Sequence, residues 1–148
     1  MPYSAGDGKE KNTMTYQELT EAIKNGRKSF TGEDLRTQAF CGLDLKDAYF
    51  DGADLRGADF DGTILHWARF DGADLRGALF RGSDLKGARF DGADLRGALF
   101  DETSLQWARF DGADLRGARS YSCDFSSSIF DGADLRGTEI GKGESMGH

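Results

Sequence analysis

From Phe30 to Ile140 every fifth residue is Leu, Phe or Ile, with Ser120 the single exception, and all 11 phenylalanines of the chain fall in that register. Two residues before each of them, from Ala48 to Thr138, stands Ala, Ser, Thr or Cys without a break. A five-residue unit with one small and one large inward side chain buries two of every five residues, which accounts for the apolar fraction of 38%. A second period lies over the first. The block Asp-Gly-Ala-Asp-Leu-Arg-Gly begins at Asp51, Asp71, Asp91, Asp111 and Asp131, so the chain returns to one chemical environment every 20 residues. Four pentapeptides then make one turn, and Phe and Leu alternate around a four-sided coil. With coils ~4.8 Å apart, residues 30 to 140 give a rod of about 26 Å.

The 148 residues amount to one domain, and 21 glycines with one proline but 11 phenylalanines exclude collagen and do not fit a disordered linker. A net charge of −7 argues against direct nucleic-acid binding and against an anionic membrane surface. No apolar run approaches the ~20 residues of a membrane span and the first residues carry no secretory pattern, so a cytoplasmic location is expected. Cys41 and Cys123 are too few for a disulfide framework and lack zinc spacing. Cys41 falls outward and Cys123 inward four coils later, so they are not expected to pair.

Units such as Ala53-Asp54-Leu55-Arg56-Gly57 resemble the pentapeptide-repeat family, over about three quarters of the chain. The resemblance implies an all-β solenoid, a right-handed quadrilateral parallel β-helix, here of about five to six coils with a short N-terminal capping α-helix. It implies no single activity. Leucine-rich repeats need an L-x-x-L-x-L core and calcium-binding parallel β-helices repeat in nines, and neither pattern is present. Glycines such as Gly52, Gly57 and Gly72 belong at the corners, where the backbone turns sharply and needs positive φ.

Ahead of the coils, Thr15 with Glu18 forms a capping box, Tyr16, Leu19 and Ile23 share a helical face, and Asn25-Gly26 supplies the stop. The expected organisation is a disordered segment 1–13, a capping helix 14–27, the β-helix 28–140 and a flexible tail 141–148. The first coil carries Lys28, Glu33, Gln38 and Leu43 where later coils have small residues. Helix and first coil together read as a cover for the N-terminal end of the core.

Function has to reside on the outward positions. Asp54, Asp74, Asp94, Asp114 and Asp134 form one column with Arg56, Arg76, Arg96, Arg116 and Arg136 beside it. Arg69, Arg89 and Arg109 face Asp71, Asp91 and Asp111 in another, and both read as self-neutralising, solvated surfaces. Two apolar features break the polarity. Trp67 and Trp107 share a corner two coils apart, roughly 10 Å by strand spacing, and Leu79 and Leu99 project from one side in successive coils. These four are the candidate interaction surface. At the far end, Leu135 and Ile140 would face water at an unpaired edge, which makes them the candidate contact of a homodimer through the C-terminal coil.

No catalytic site is expected: His66 is outward between Leu65 and Trp67, His148 is the last residue, and no nucleophile has a positioned base. The Arg columns compete with any calcium, and no loop wraps an ion, so neither metal nor cofactor is anticipated. The function expected is a non-enzymatic scaffold or protein-protein interaction module with an unknown protein partner. Five copies of one block also fit a designed or regularised consensus sequence with no partner. The family resemblance implies an alternative, a DNA-mimicking binder or inhibitor of a type II topoisomerase such as DNA gyrase. Residues 31–140 hold 21 acidic and 13 basic groups, net −8, whereas duplex DNA of that length carries about 15 charges.

Overall fold

The computed structural model describes residues 14–141. The segments 1–13 and 142–148, read as disordered and as most of a flexible tail, lie outside the described residues. Helix α1 spans Tyr16–Lys24. It starts where Thr15 Oγ1 accepts from the Glu18 N–H at 3.0 Å while Glu18 Oε1 accepts from the Thr15 N–H at 2.9 Å, so two otherwise orphaned donors are satisfied reciprocally. It stops at Asn25, followed by Gly26 at φ +94°. Leu19 is fully buried in the main core cluster, with Met14 and Ile23 packed against it. The Tyr16 hydroxyl donates to the Cys41 carbonyl at 2.7 Å, which ties the helix to the first winding. Among the described residues no helix is long and apolar enough to cross a membrane.

Beyond the helix the backbone winds with an offset of 20 residues. Parallel bridges run from Ser29↔Tyr49 to Asp114↔Asp134, and strand β1 (Arg119–Ser120) pairs with β2 (Glu139–Ile140) at the same offset. Most bridges are one residue long because each side of the coil is short before the chain turns again. The unit around Phe70 shows where its hydrogen bonds go. Phe70 donates to Arg89 O at 2.7 Å, Gly72 to Asp91 O at 2.9 Å, and Asp74 back to Ala53 O at 3.0 Å. Ala73 closes the turn onto Phe70 O at 3.0 Å. Gly72 sits at φ +69°, and a left-handed third residue under such a bond is the geometry of a type II turn.

The core is a pair of phenylalanine stacks and the leucines between them. Phe50, Phe70 and Phe90 stack at 5.0 Å with interplanar angles of 4°, and each ring meets the neighbouring stack edge-on, as Phe70 meets Phe80 at 5.8 Å. Both arrangements are favourable for the ring quadrupole. Ala68, Ala73 and their equivalents are buried at the small position. Where that position is polar, its hydroxyl is bonded: Thr63 Oγ1 donates to Phe40 O and Thr103 Oγ1 to Phe80 O, each on the preceding coil.

At the irregular stretch, Ser120 replaces a phenylalanine and is completely buried, with Oγ lacking a hydrogen-bond partner among the described residues. The compensation is one unit later, where Phe125 stands in the leucine column and packs on Phe130 at 5.7 Å. A side chain smaller than its column is followed by one larger than its column, and the register is kept.

Candidate interaction surface

Each pentapeptide has five backbone N–H groups at most, and the ladder and turn take four. In most units the remaining one, on the residue after the large inward side chain, is taken by an aspartate. On one side the acceptor lies in the same unit, as in Arg76 N–H to Asp74 Oδ1 at 3.3 Å and Arg96 N–H to Asp94 Oδ1 at 3.3 Å. On another it comes from the coil before, as in Asp91 N–H to Asp71 Oδ1 and Asp111 N–H to Asp91 Oδ1, both 3.0 Å. The carboxylates read as a solvated charge column therefore complete the main-chain hydrogen bonding.

The same carboxylates bind arginine. Arg96 holds Asp94 with two bonds, Nε to Oδ1 at 2.9 Å and Nη2 to Oδ2 at 2.6 Å, and its Nε lies 3.6 Å from Asp114 on the next coil. The pattern repeats from Arg36 to Arg116, giving a continuous acid-base zipper down one side. The hydrogen bond from arginine is the main reason the carboxyls of Asp54, Asp74, Asp94 and Asp114 lie below the usual range, and it holds Asp134 at about 2. Arg136 closes the series with 77% of its side chain exposed, since no further described coil offers it a second carboxylate.

The corner that carries the tryptophans breaks this economy. Trp67 and Trp107 adopt φ +61° and +64°, in a column of corner residues that reads Asp47, Trp67, Gly87, Trp107, Ser127. Left-handed backbone costs an L-residue roughly 1–2 kcal/mol, so glycine is the favoured occupant and a bulky aromatic is unexpected. Both tryptophans are 51% exposed. Their ring centroids are 6.4 Å apart, not the coil-spacing distance of roughly 10 Å. The reason is Gly87. The Trp67 ring lies across it, and a Cβ there would stand 2.3 Å from Trp67 Cε3. Gly87 is accordingly the one buried corner glycine among the described residues. Lys86 completes the group, with Nζ 5.0 Å from the centre of the Trp107 ring. A Trp-Gly-Trp column at 20-residue spacing was the available signal.

The other two members of the expected surface are elsewhere. Leu79 and Leu99 bridge to each other on adjacent coils and are half-buried. They belong to the side of the coil that ends at Gly82 and Glu102, so the side bearing His66 and Lys86 separates them from the tryptophan corner. Ile64 on that intervening side, and Tyr49 and Ile129 just past the corner, are exposed large hydrophobics that sequence reasoning passed over. At the far end Leu135 is half-buried and Ile140 is 37% exposed.

Of the residues weighed for chemistry, His66 Nε2 is hydrogen-bonded to Asp84 Oδ2 at 2.6 Å on the open side wall. Among the described residues no group of three or more His, Cys, Asp or Glu side chains could hold a metal ion. Neither Cys41 nor Cys123 is in a disulfide among the described residues. Burial, then the neighbouring Asp59, pushes the Cys41 thiol up to about 11.

A family model described as pentapeptide repeats matches eight copies, over residues 40–77, 78–117 and 103–139. Among solved structures, the chain is similar to the pentapeptide repeat protein Rfr23 from the cyanobacterium Cyanothece 51142, with TM-score 0.76 and 19% identity, covering 82% of this chain and 99% of that one. That likeness is one of fold. It is also similar to alr5209 from Nostoc Pcc 7120, at 28% identity, TM-score 0.42 and coverage of 86% and 96%. A third is HetL from Nostoc sp. Strain PCC 7120, which is involved in heterocyst differentiation regulation, at 17% identity, TM-score 0.37 and coverage of 88% and 99%. Comparison with the curated proteins gives no match.

Proposed function

Because the chain belongs to the pentapeptide-repeat family, and because its repeated aspartates and arginines are occupied in building the rod, we propose that it is a non-enzymatic interaction module that presents the Trp67/Trp107 corner to a protein partner in the cytoplasm. In its finer form the rod is a right-handed quadrilateral β-helix of about five to six coils with α1 as its N-terminal lid. The observation that carries the functional reading is the pair of tryptophans at left-handed corner positions that glycine fills along most of the rod. Neither ring contributes to the buried core, and both remain half exposed. Large aromatics with this exposure are the residues that anchor interfaces.

The gyrase-binding alternative draws on the excess of carboxylates. Here the aspartates accept from backbone N–H groups and arginines, which favours a structural origin for the net charge over imitation of a phosphate row.

Photo-crosslinking tests the proposal. A benzophenone side chain at position 107 is expected to give discrete protein adducts in the source cells, while the same label at Arg76 on the zipper gives none. Equal labelling at the two positions, or none at 107, overturns it.

A further inference from the structure

The charge around the tryptophan corner differs from that of the whole chain. The outward rows that flank it carry Lys46 and Lys86 before the corner and Arg69, Arg89 and Arg109 after it, against the single carboxylate of Asp47 in the corner column. The rest of the molecule is acidic enough to leave a net charge of −7. The three arginines follow one another on successive coils through the bridges Arg69↔Arg89 and Arg89↔Arg109. Each is bracketed by two carboxylates at 2.9–3.8 Å, Asp51 and Asp71, Asp71 and Asp91, and Asp91 and Asp111 in turn, yet keeps 40–44% of its side chain exposed. Among the described residues no carboxylate lies within ion-pair distance of Lys86 Nζ, which faces the Trp107 ring instead. The strip thus offers the Lys86 ammonium and half-exposed guanidinium groups along its edges and aromatic rings along its crest.

Resting on the interaction-module reading, we infer that the partner segment is a short acidic peptide in extended form, with an apolar side chain between its carboxylates. The apolar side chain would lie on the Trp67/Trp107 rings, and the carboxylates would reach Lys86 and the arginine row. Size supports this. From the coil of Lys46 to that of Arg109 is three coil steps, about 14 Å, which an extended chain covers in about five residues. Narrowness excludes a longer polyanion. Outside the cationic rows stand Asp44, Asp84 and Asp124 on one side and Asp51, Asp71 and Asp91 on the other, so a nucleic acid with a charge every few ångströms would run onto like charge.

The two tryptophans of the ridge are the only ones in the chain, so indole emission reports on this site alone. A phage-displayed library of random peptides is selected on the full chain and counter-selected on the Trp67→Gly/Trp107→Gly variant. The enriched peptides are then made and titrated against the wild type by indole emission. The expected result is peptides with two or more Asp or Glu around an apolar residue, which shift the emission and bind at least about tenfold more weakly to Lys86→Glu. They should leave Arg76→Glu binding unchanged. Ridge-binding peptides without acidic residues overturn the acidic partner and leave the interaction module standing. Absence of any peptide that discriminates wild type from the double variant overturns both. An emission response to oligo-dT or to cellohexaose, with none to peptides, reassigns the ridge to a nucleic acid or a glycan and ends the proposal.

Discussion

At the scale of single residues, the aspartates decide more than their charge suggests. Asp94 accepts the Arg96 N–H and pairs with its guanidinium, so Asp94→Asn keeps an acceptor whereas Asp94→Ala leaves a backbone donor short of a partner. Chemical denaturation should show a loss of about 1 kcal/mol for alanine and a smaller one for asparagine. Acid should act through the same groups. The carboxyls of Asp54, Asp74, Asp94, Asp114 and Asp134 are depressed in the folded chain, Asp134 to about 2. Their contribution is therefore complete above the unfolded value near ~4 and lost as pH falls through the folded ones. Melting temperatures followed from neutral pH downward should hold to about pH 5 and decline between about pH 4 and 2. A decline that begins near neutrality would contradict this origin. None of this was legible in the sequence, which displays the charge of Asp94 and not the N–H toward which it points.

The pentapeptide side is the element of this fold, and its inward pattern was legible because five-residue periodicity maps directly onto burial. Phe70, Leu75 and Ala73 lie in the core where the register places them. Ala93→Leu should overfill the site beside Leu95 and cost about 1–3 kcal/mol or more. Arg96→Leu, with its side chain 43% exposed, should shift a denaturant midpoint far less; equal shifts would show the register to be wrong. The corners were half legible. Glycine at Gly72 announces a left-handed turn, and the column Trp67, Gly87, Trp107 shows that a ring has room to fold, but not that the Trp67 ring takes that direction. Gly87→Ala tests that arrangement, since its Cβ would meet Trp67 Cε3 at 2.3 Å. Near-ultraviolet circular dichroism should lose the coupled indole signal, whereas Gly97→Ala, with an equally positive φ and open space, should not change it.

For the whole molecule, the ends and the crest matter most. The last described coil leaves Ile140 at 37% and the Arg136 side chain at 77% exposure, while Phe130 and Leu135 are only half-buried. The proposal from these groups is a two-fold dimer that stacks final coils end to end. Sedimentation should show association at micromolar concentration that Ile140→Asp abolishes, and a strictly monomeric wild type would remove the idea. The overall winding was readable from the 20-residue block, whereas the cooperation of Trp67, Gly87, Trp107 and Lys86 depends on side-chain directions that no period specifies.

If the tryptophan crest serves recognition and not the scaffold, the rod keeps its stability without it, and thermal unfolding of Trp67→Gly/Trp107→Gly reads this out. Glycine relieves roughly 1–2 kcal/mol of left-handed strain at each corner, against the loss of the ring-ring contact, about 0.5–1.5 kcal/mol, the Lys86 contact with the Trp107 ring, about 0.5–1 kcal/mol at an exposed site, and the packing of Trp67 on Gly87. A melting temperature equal to or above that of the wild type is expected; a fall of several degrees would show that the tryptophans hold the rod together and would overturn their assignment to recognition.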